Sequence, residues 1–108
     1  MAEHELRTEG AGAVRRRLVS IIATIARWIG TLAAVILTAH VVLTVGGANP
    51  ENGITKWVRG WADSLVFGFQ DLFLPDDART KVLVNYGLAA IVWLIATSIV
   101  VKLIRRLG

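Results

Sequence analysis

The 108-residue chain contains no cysteine, two histidines and two prolines. Without cysteine there is no disulfide framework, no thiol nucleophile and no thiolate metal site. His4 and His40 are far apart and have no companion ligand pattern, so no metal is expected. No Ser-His-Asp set or phosphate-cradling glycine loop is present. Gly46-Gly47, followed by Asn49-Pro50, reads as a helix stop and a turn. The expectation is a protein that is not an enzyme, with no cofactor and no small-molecule substrate.

Charge is missing as well, over two long stretches. No Asp, Glu, Lys or Arg occurs between Arg27 and Glu51, or between Lys81 and Lys102. Residues 28–45 would form about 27 Å of helix and residues 82–101 about 30 Å, close to the thickness of a bilayer's hydrocarbon core. The chain is 55% hydrophobic with a mean hydropathy of +0.59. A soluble domain this small could not hide that much apolar surface. These patterns predict an all-α membrane protein: a two-span transmembrane helical hairpin with an amphipathic interfacial helix in the connecting loop.

Residues 1–13 mix charges with small residues and read as a disordered cytoplasmic tail. Residues 14–45 read as a juxtamembrane segment continuing into the first transmembrane helix. At its start come Arg15, Arg16 and Arg17, then Leu18, Ile21, Ile22, Ile25 and Ile29 on one helical stripe. Arg27 at the bilayer centre would cost about 2.5–3.5 kcal/mol, so it is placed at the cytoplasmic interface beside Trp28. No A-x-A site follows this overlong apolar stretch, so cleavage as a signal peptide is not expected.

Residues 46–81 form the extracytoplasmic loop. Within it, residues 54–74 read as an amphipathic helix. Ile54, Val58, Trp61, Leu65, Phe69 and Leu72 lie on one side, and Lys56, Arg59, Asp63 and Gln70 on the other. Pro75 ends this helix, and Asp76 is placed as the N-cap of the next. Residues 82–101 read as the second transmembrane helix, and residues 102–108 as a basic cytoplasmic C-terminus. Both termini are placed in the cytoplasm under the positive-inside tendency. Abundant Ala, Val, Gly and Arg point to a GC-rich bacterial genome, and hence to a bacterial inner membrane.

Four groups of residues are candidates for function. Arg15, Arg16, Arg17, Arg27, Lys102, Arg105 and Arg106 set topology and would attract anionic lipid headgroups. Nucleic acid is not expected, because no aromatic-basic interleaving accompanies these clusters. Gly30, Ala34 and Thr38, with Gly87 and Ala90, would allow close helix packing, within the hairpin or between subunits. His40 falls at a depth where it would hydrogen-bond Asn85 or Tyr86 across the hairpin. Trp57, Trp61, Leu65, Phe69 and Phe73 concentrate aromatic and apolar area suited to lipid or to a docking partner. Asp63 and Asp71 are too far apart to act on one bond and read as solvated.

The expected function is that of an accessory or scaffold subunit, either a homo-oligomer or part of a larger integral membrane complex. A small pore-forming or holin-like oligomer is one alternative. A protein that binds anionic lipid or senses curvature is the other.

Overall fold

The structure, a computed structural model, describes the backbone of residues 2–108 and the side chains from residue 10 onward. Helix makes up 81% of the chain, and no strand occurs among the described residues. Helix α1 spans Ala2–Val45, α2 spans Gly53–Leu65 and α3 spans Ala78–Arg105, with a single 3₁₀ turn at Phe69–Asp71 between α2 and α3. Both α1 and α3 are long and apolar enough to cross a membrane.

Helical backbone therefore runs through residues 2–13, where the sequence reading places a disordered tail. The Ala, Glu, Leu and Arg that dominate this segment are strong helix formers, and they carry the helix through Gly10 and Gly12. Met1 and the side chains of residues 2–9, including His4, lie outside the described residues.

At its other end α1 stops where its glycines predict. Ala48 N–H donates to the Leu43 carbonyl at 2.8 Å, and Gly47 N–H donates to the Thr44 carbonyl at 3.2 Å. These two bonds make a Schellman closure, with Gly47 in the left-handed conformation (φ 73°) that a side chain would disfavour.

Helices α1 and α3 run antiparallel, side by side. Arg15 stands opposite Leu107, Gly30 opposite Thr97, and His40 opposite Tyr86. The pair thus has a terminal end, holding residues 15 and 107, and a connector end, from which α2 departs. The molecule measures 72 × 28 × 17 Å. Toward the terminal end Ala23 and Val101 are buried, and Gly30 lets the helices approach at Thr97. Toward the connector end three helices meet. Ala34, Leu37 and Val41 of α1 pack with Tyr86, Ala89 and Ala90 of α3, and Ala62 and Val66 close the cluster from the connector.

The helix read over 54–74 ends nine residues early. Phe67 adopts φ 48° and Gly68 φ 87°, so the chain reverses direction after Leu65. Glycine at 68 is the local signal for that corner. Helix α2 starts on Asn52, whose side-chain oxygen accepts the Ile54 N–H at 2.9 Å.

The N-cap of α3 is Asp77, one residue beyond the expected Asp76. Its carboxylate accepts the Thr80 N–H at 3.2 Å and the Thr80 hydroxyl at 2.8 Å. The Thr80 hydroxyl is the largest cause that holds the Asp77 carboxyl below its ordinary value of 3.8, and the Thr80 N–H adds to it. A lowered folded-state pKa contributes stability that is complete above the unfolded value and is lost as pH falls through the folded one. Asp77→Asn keeps the cap acceptor but removes the charge. In thermal melts taken from neutral pH to about pH 2, this variant should lose less stability on acidification than the parent chain. Parallel acid limbs would show that Asp77 has no part in the pH dependence.

Candidate functional site

Among the described residues, two side chains of α3 fasten the backbone of the connector. Asn85 is fully buried. Its oxygen accepts the Phe73 N–H at 2.9 Å, and its amide nitrogen donates to the carbonyls of Gln70 at 2.9 Å and Phe73 at 2.8 Å. One asparagine thus satisfies three backbone groups of the 3₁₀ turn and its exit. Farther along α3, the Trp93 indole N–H donates to the Leu65 carbonyl at 2.8 Å. That bond satisfies a carbonyl in the last turn of α2, which has no helical partner of its own. Phe67 stacks on Trp93 with ring centroids 5.4 Å apart.

His40 and Tyr86 pack ring against ring across the long helices, centroids 4.6 Å apart and tilted by 54°, but the expected hydrogen bond between them is not formed. The pairing of His40 with Asn85 does not occur, because Asn85 spends its hydrogen bonds on the connector. The Tyr86 hydroxyl donates instead to Asp63 of α2 at 2.7 Å. Asp63 was expected on a solvated polar face. A helical wheel of α2 alone contains no Tyr86, so the only clue was that Tyr86 needs a partner.

These groups line a cleft of about 500 Å³ at the connector end. One wall is the end of α1 (His40, Leu43, Thr44), a second is the polar edge of α2 (Thr55, Arg59, Asp63), and a third is the start of α3 (Ala78, Arg79, Val82, Tyr86). Arg59 Nε lies 3.9 Å from Asp63, and Lys81 pairs with Asp71 at 2.7 Å just beyond the cleft. Below His40 and Tyr86 the polar lining stops, and buried Leu37 and Ala89 fill the space between the long helices.

The packing candidates divide. Gly30 and Ala34 are buried against α3, and Ala90 belongs to the core. Thr38 is exposed, and a side chain at Gly87 would meet nothing within 4 Å, so neither is needed for the α1–α3 approach. The aromatic group divides as well. Leu65 and Phe69 pack inward against the core. Trp57 (61% exposed), Trp61 (51%) and Phe73 (52%) face outward. Trp57 and Trp61 meet edge to face at 6.3 Å and form, with exposed Ile54, an outer strip along α2.

At the terminal end Arg15, Arg16, Arg17, Lys102, Arg105 and Arg106 are all exposed. Arg15 Nε donates to the Leu107 carbonyl at 2.8 Å, placing a cation at the C-terminus of α3 where the helix dipole favours it. Arg27 is exposed three turns farther along α1. Among the described residues no group of three or more His, Cys, Asp or Glu could hold a metal.

Comparison with known protein families, with curated proteins and with solved structures finds no match.

Proposed function

We propose that this chain is a two-span integral membrane protein of the bacterial inner membrane, with both termini cytoplasmic. It acts without catalysis, as an accessory or scaffold subunit that packs against a larger membrane complex or its own copies. The observation that carries this reading is the inverted exposure of its apolar helices. Only 33% of the most apolar stretch of α1 and 17% of that of α3 is buried. A core helix of a soluble protein hides such residues. Here Ile22, Ile25, Ile29, Leu32, Ile91, Ile95 and Ile99 all face outward. Acyl chains are the solvent that accepts them.

In this reading the connector is a re-entrant wedge. Trp93 follows Lys81 by 12 residues, about 18 Å along α3. Leu65 bonds the Trp93 side chain, which leans back toward the start of α3, so it lies inside the hydrocarbon but short of mid-bilayer. Backbone at that depth must be satisfied by protein, which Trp93 accomplishes, while Asn85 holds the turn nearer the surface. The outward strip of Ile54, Trp57 and Trp61 is then the docking face, since inward-facing Val58, Ala62 and Leu65 already cover the spans. A pore-forming oligomer has less in its favour, because the polar lining ends at His40 and Tyr86. Lipid binding through the exposed basic terminal end is compatible with the scaffold role.

The cysteine-free chain is a clean background for the test. Single cysteines at positions 11, 53 and 108 report topology, and Gly53, at the outer start of α2, has open space around it. In sealed cells an impermeant maleimide should label position 53 at once, and positions 11 and 108 only after permeabilisation. The reverse pattern would sink the orientation. A photo-crosslinker at Trp61 should yield a discrete protein adduct in native membranes. Adducts with lipid alone would remove the docking face.

A further inference from the structure

The cleft at the connector end has more cationic donors than protein acceptors. Arg59 has one carboxylate, Asp63, at the 3.9 Å limit of an ion pair, and that carboxylate already accepts the Tyr86 hydroxyl. Arg79 has no carboxylate within 4 Å among the described residues. His40 supplies the independent observation. It is 8% exposed, lines the cleft and makes no hydrogen bond within the protein among the described residues. Among the described residues no buried side-chain nitrogen or oxygen is left without a partner, so the His40 nitrogens open onto the cleft rather than being sealed in the core. A nine-tenths-buried imidazole facing an open cleft that holds two guanidinium groups against one carboxylate is an arrangement that an oxyanion completes.

The geometry points to a phosphate-binding site in this cleft, held by Arg59, Arg79 and His40, whose occupant is the phosphodiester of a membrane phospholipid. Guanidinium groups match phosphate oxygens two at a time, and the imidazole adds a second type of donor. Thr44 and Thr55 line the same cleft with hydroxyls. Leu43, Ala78 and Val82 supply apolar contacts that suit a glycerol backbone and the start of an acyl chain. The site rests on the two-span reading, which places the mouth of the cleft, at Gly47, Ala48, Pro50 and Arg79, at the headgroup level of the leaflet on the connector side. It is separate from the basic residues of the terminal end, which stand at the opposite pole of the α1–α3 pair. Its role would be to fix one lipid between the wedge and the long helices.

Native mass spectrometry of the full chain, released from nanodiscs containing phosphatidylglycerol, tests the assignment. One retained phospholipid per chain is expected. Arg59→Gln with Arg79→Gln should lower its retention about tenfold or more, as loss of charge-assisted bonds implies. His40→Leu should lower it by less. Arg105→Gln with Arg106→Gln should leave it unchanged. If the double glutamine variant fails to fold, the single exchanges Arg59→Lys and Arg79→Lys replace it, and each should weaken retention while keeping the charge. Equal retention by the parent and the cleft variants would overturn the site. So would retention that falls only with the terminal-end variant. Inorganic phosphate, titrated into delipidated protein and followed by phosphorus NMR, separates the two sources. Saturable binding of phosphate with no retained phospholipid would overturn the lipid as occupant. The topology labelling does not depend on any of these readouts, so failure of the site and failure of the two-span reading are distinguishable.

Discussion

Replacing Gly30 with leucine should abolish the close packing of α1 on α3. A Cβ placed on Gly30 would lie 2.6 Å from both Cβ and Cγ2 of Thr97, and closer still to its hydroxyl oxygen. These atoms are near the root of the Thr97 side chain, which has no flexible end to swing away. The Thr97 hydroxyl is further pinned by its bond to the Trp93 carbonyl at 2.6 Å. Gly30→Ala should therefore cost about 1–3 kcal/mol as an overpacked contact. Gly30→Leu exceeds what the interface can absorb and should separate the helices. Thermal or denaturant unfolding in lipid, followed by tryptophan fluorescence, measures the loss. Thr97→Gly, introduced into Gly30→Ala, should restore most of it, because it removes the colliding atoms. Independent, additive losses from the two substitutions would contradict the close approach.

The second large effect is expected at Asn85. Asn85→Leu leaves the Phe73 N–H and the carbonyls of Gln70 and Phe73 without their partner. Each buried polar group left unpaired costs about 1–3 kcal/mol. Water can reach the partly buried turn, so the total should fall near 3 kcal/mol. The loss should be local. Amide exchange should speed up over residues 66–74 while α1 and the terminal half of α3 remain protected. Unchanged protection of the connector would show that Trp93 and the core hold it alone. Combined with His40→Leu, the loss should be additive, since the two side chains share no bond.

The long helices were legible in the sequence because their cause is one-dimensional. A run of uncharged residues and a glycine pair are visible without any partner, and α1 ends at Val45 as those glycines predict. The connector was less legible. Its apolar period continues through Phe69 and Leu72, so a wheel extends the helix to residue 74. What stops it is a left-handed corner at Phe67 and Gly68, stabilised by stacking on Trp93. Gly68 was a readable signal, but Phe67 was not, since bulky residues seldom take positive φ. The cleft was least legible. Asp63 and Tyr86 are 23 residues apart, and Asn85 binds backbone groups whose positions no side-chain pattern encodes. His40 was singled out because a histidine within an apolar run needs an explanation. The sequence places it near Asn85 or Tyr86 without deciding between them, and gives no sign that α2 would bring an acid to the same spot.

Both fastenings of the wedge lie downstream of it. Asn85 and Trp93 emerge from the ribosome after Phe73 and Leu65, by 12 and 28 residues respectively. During synthesis the segment carrying Lys56, Arg59 and Asp63 must therefore wait, undocked, until the last helix has been delivered. Biogenesis of this fold is ordered by its own hydrogen bonds, with the final helix acting as the latch that draws the middle of the chain into place.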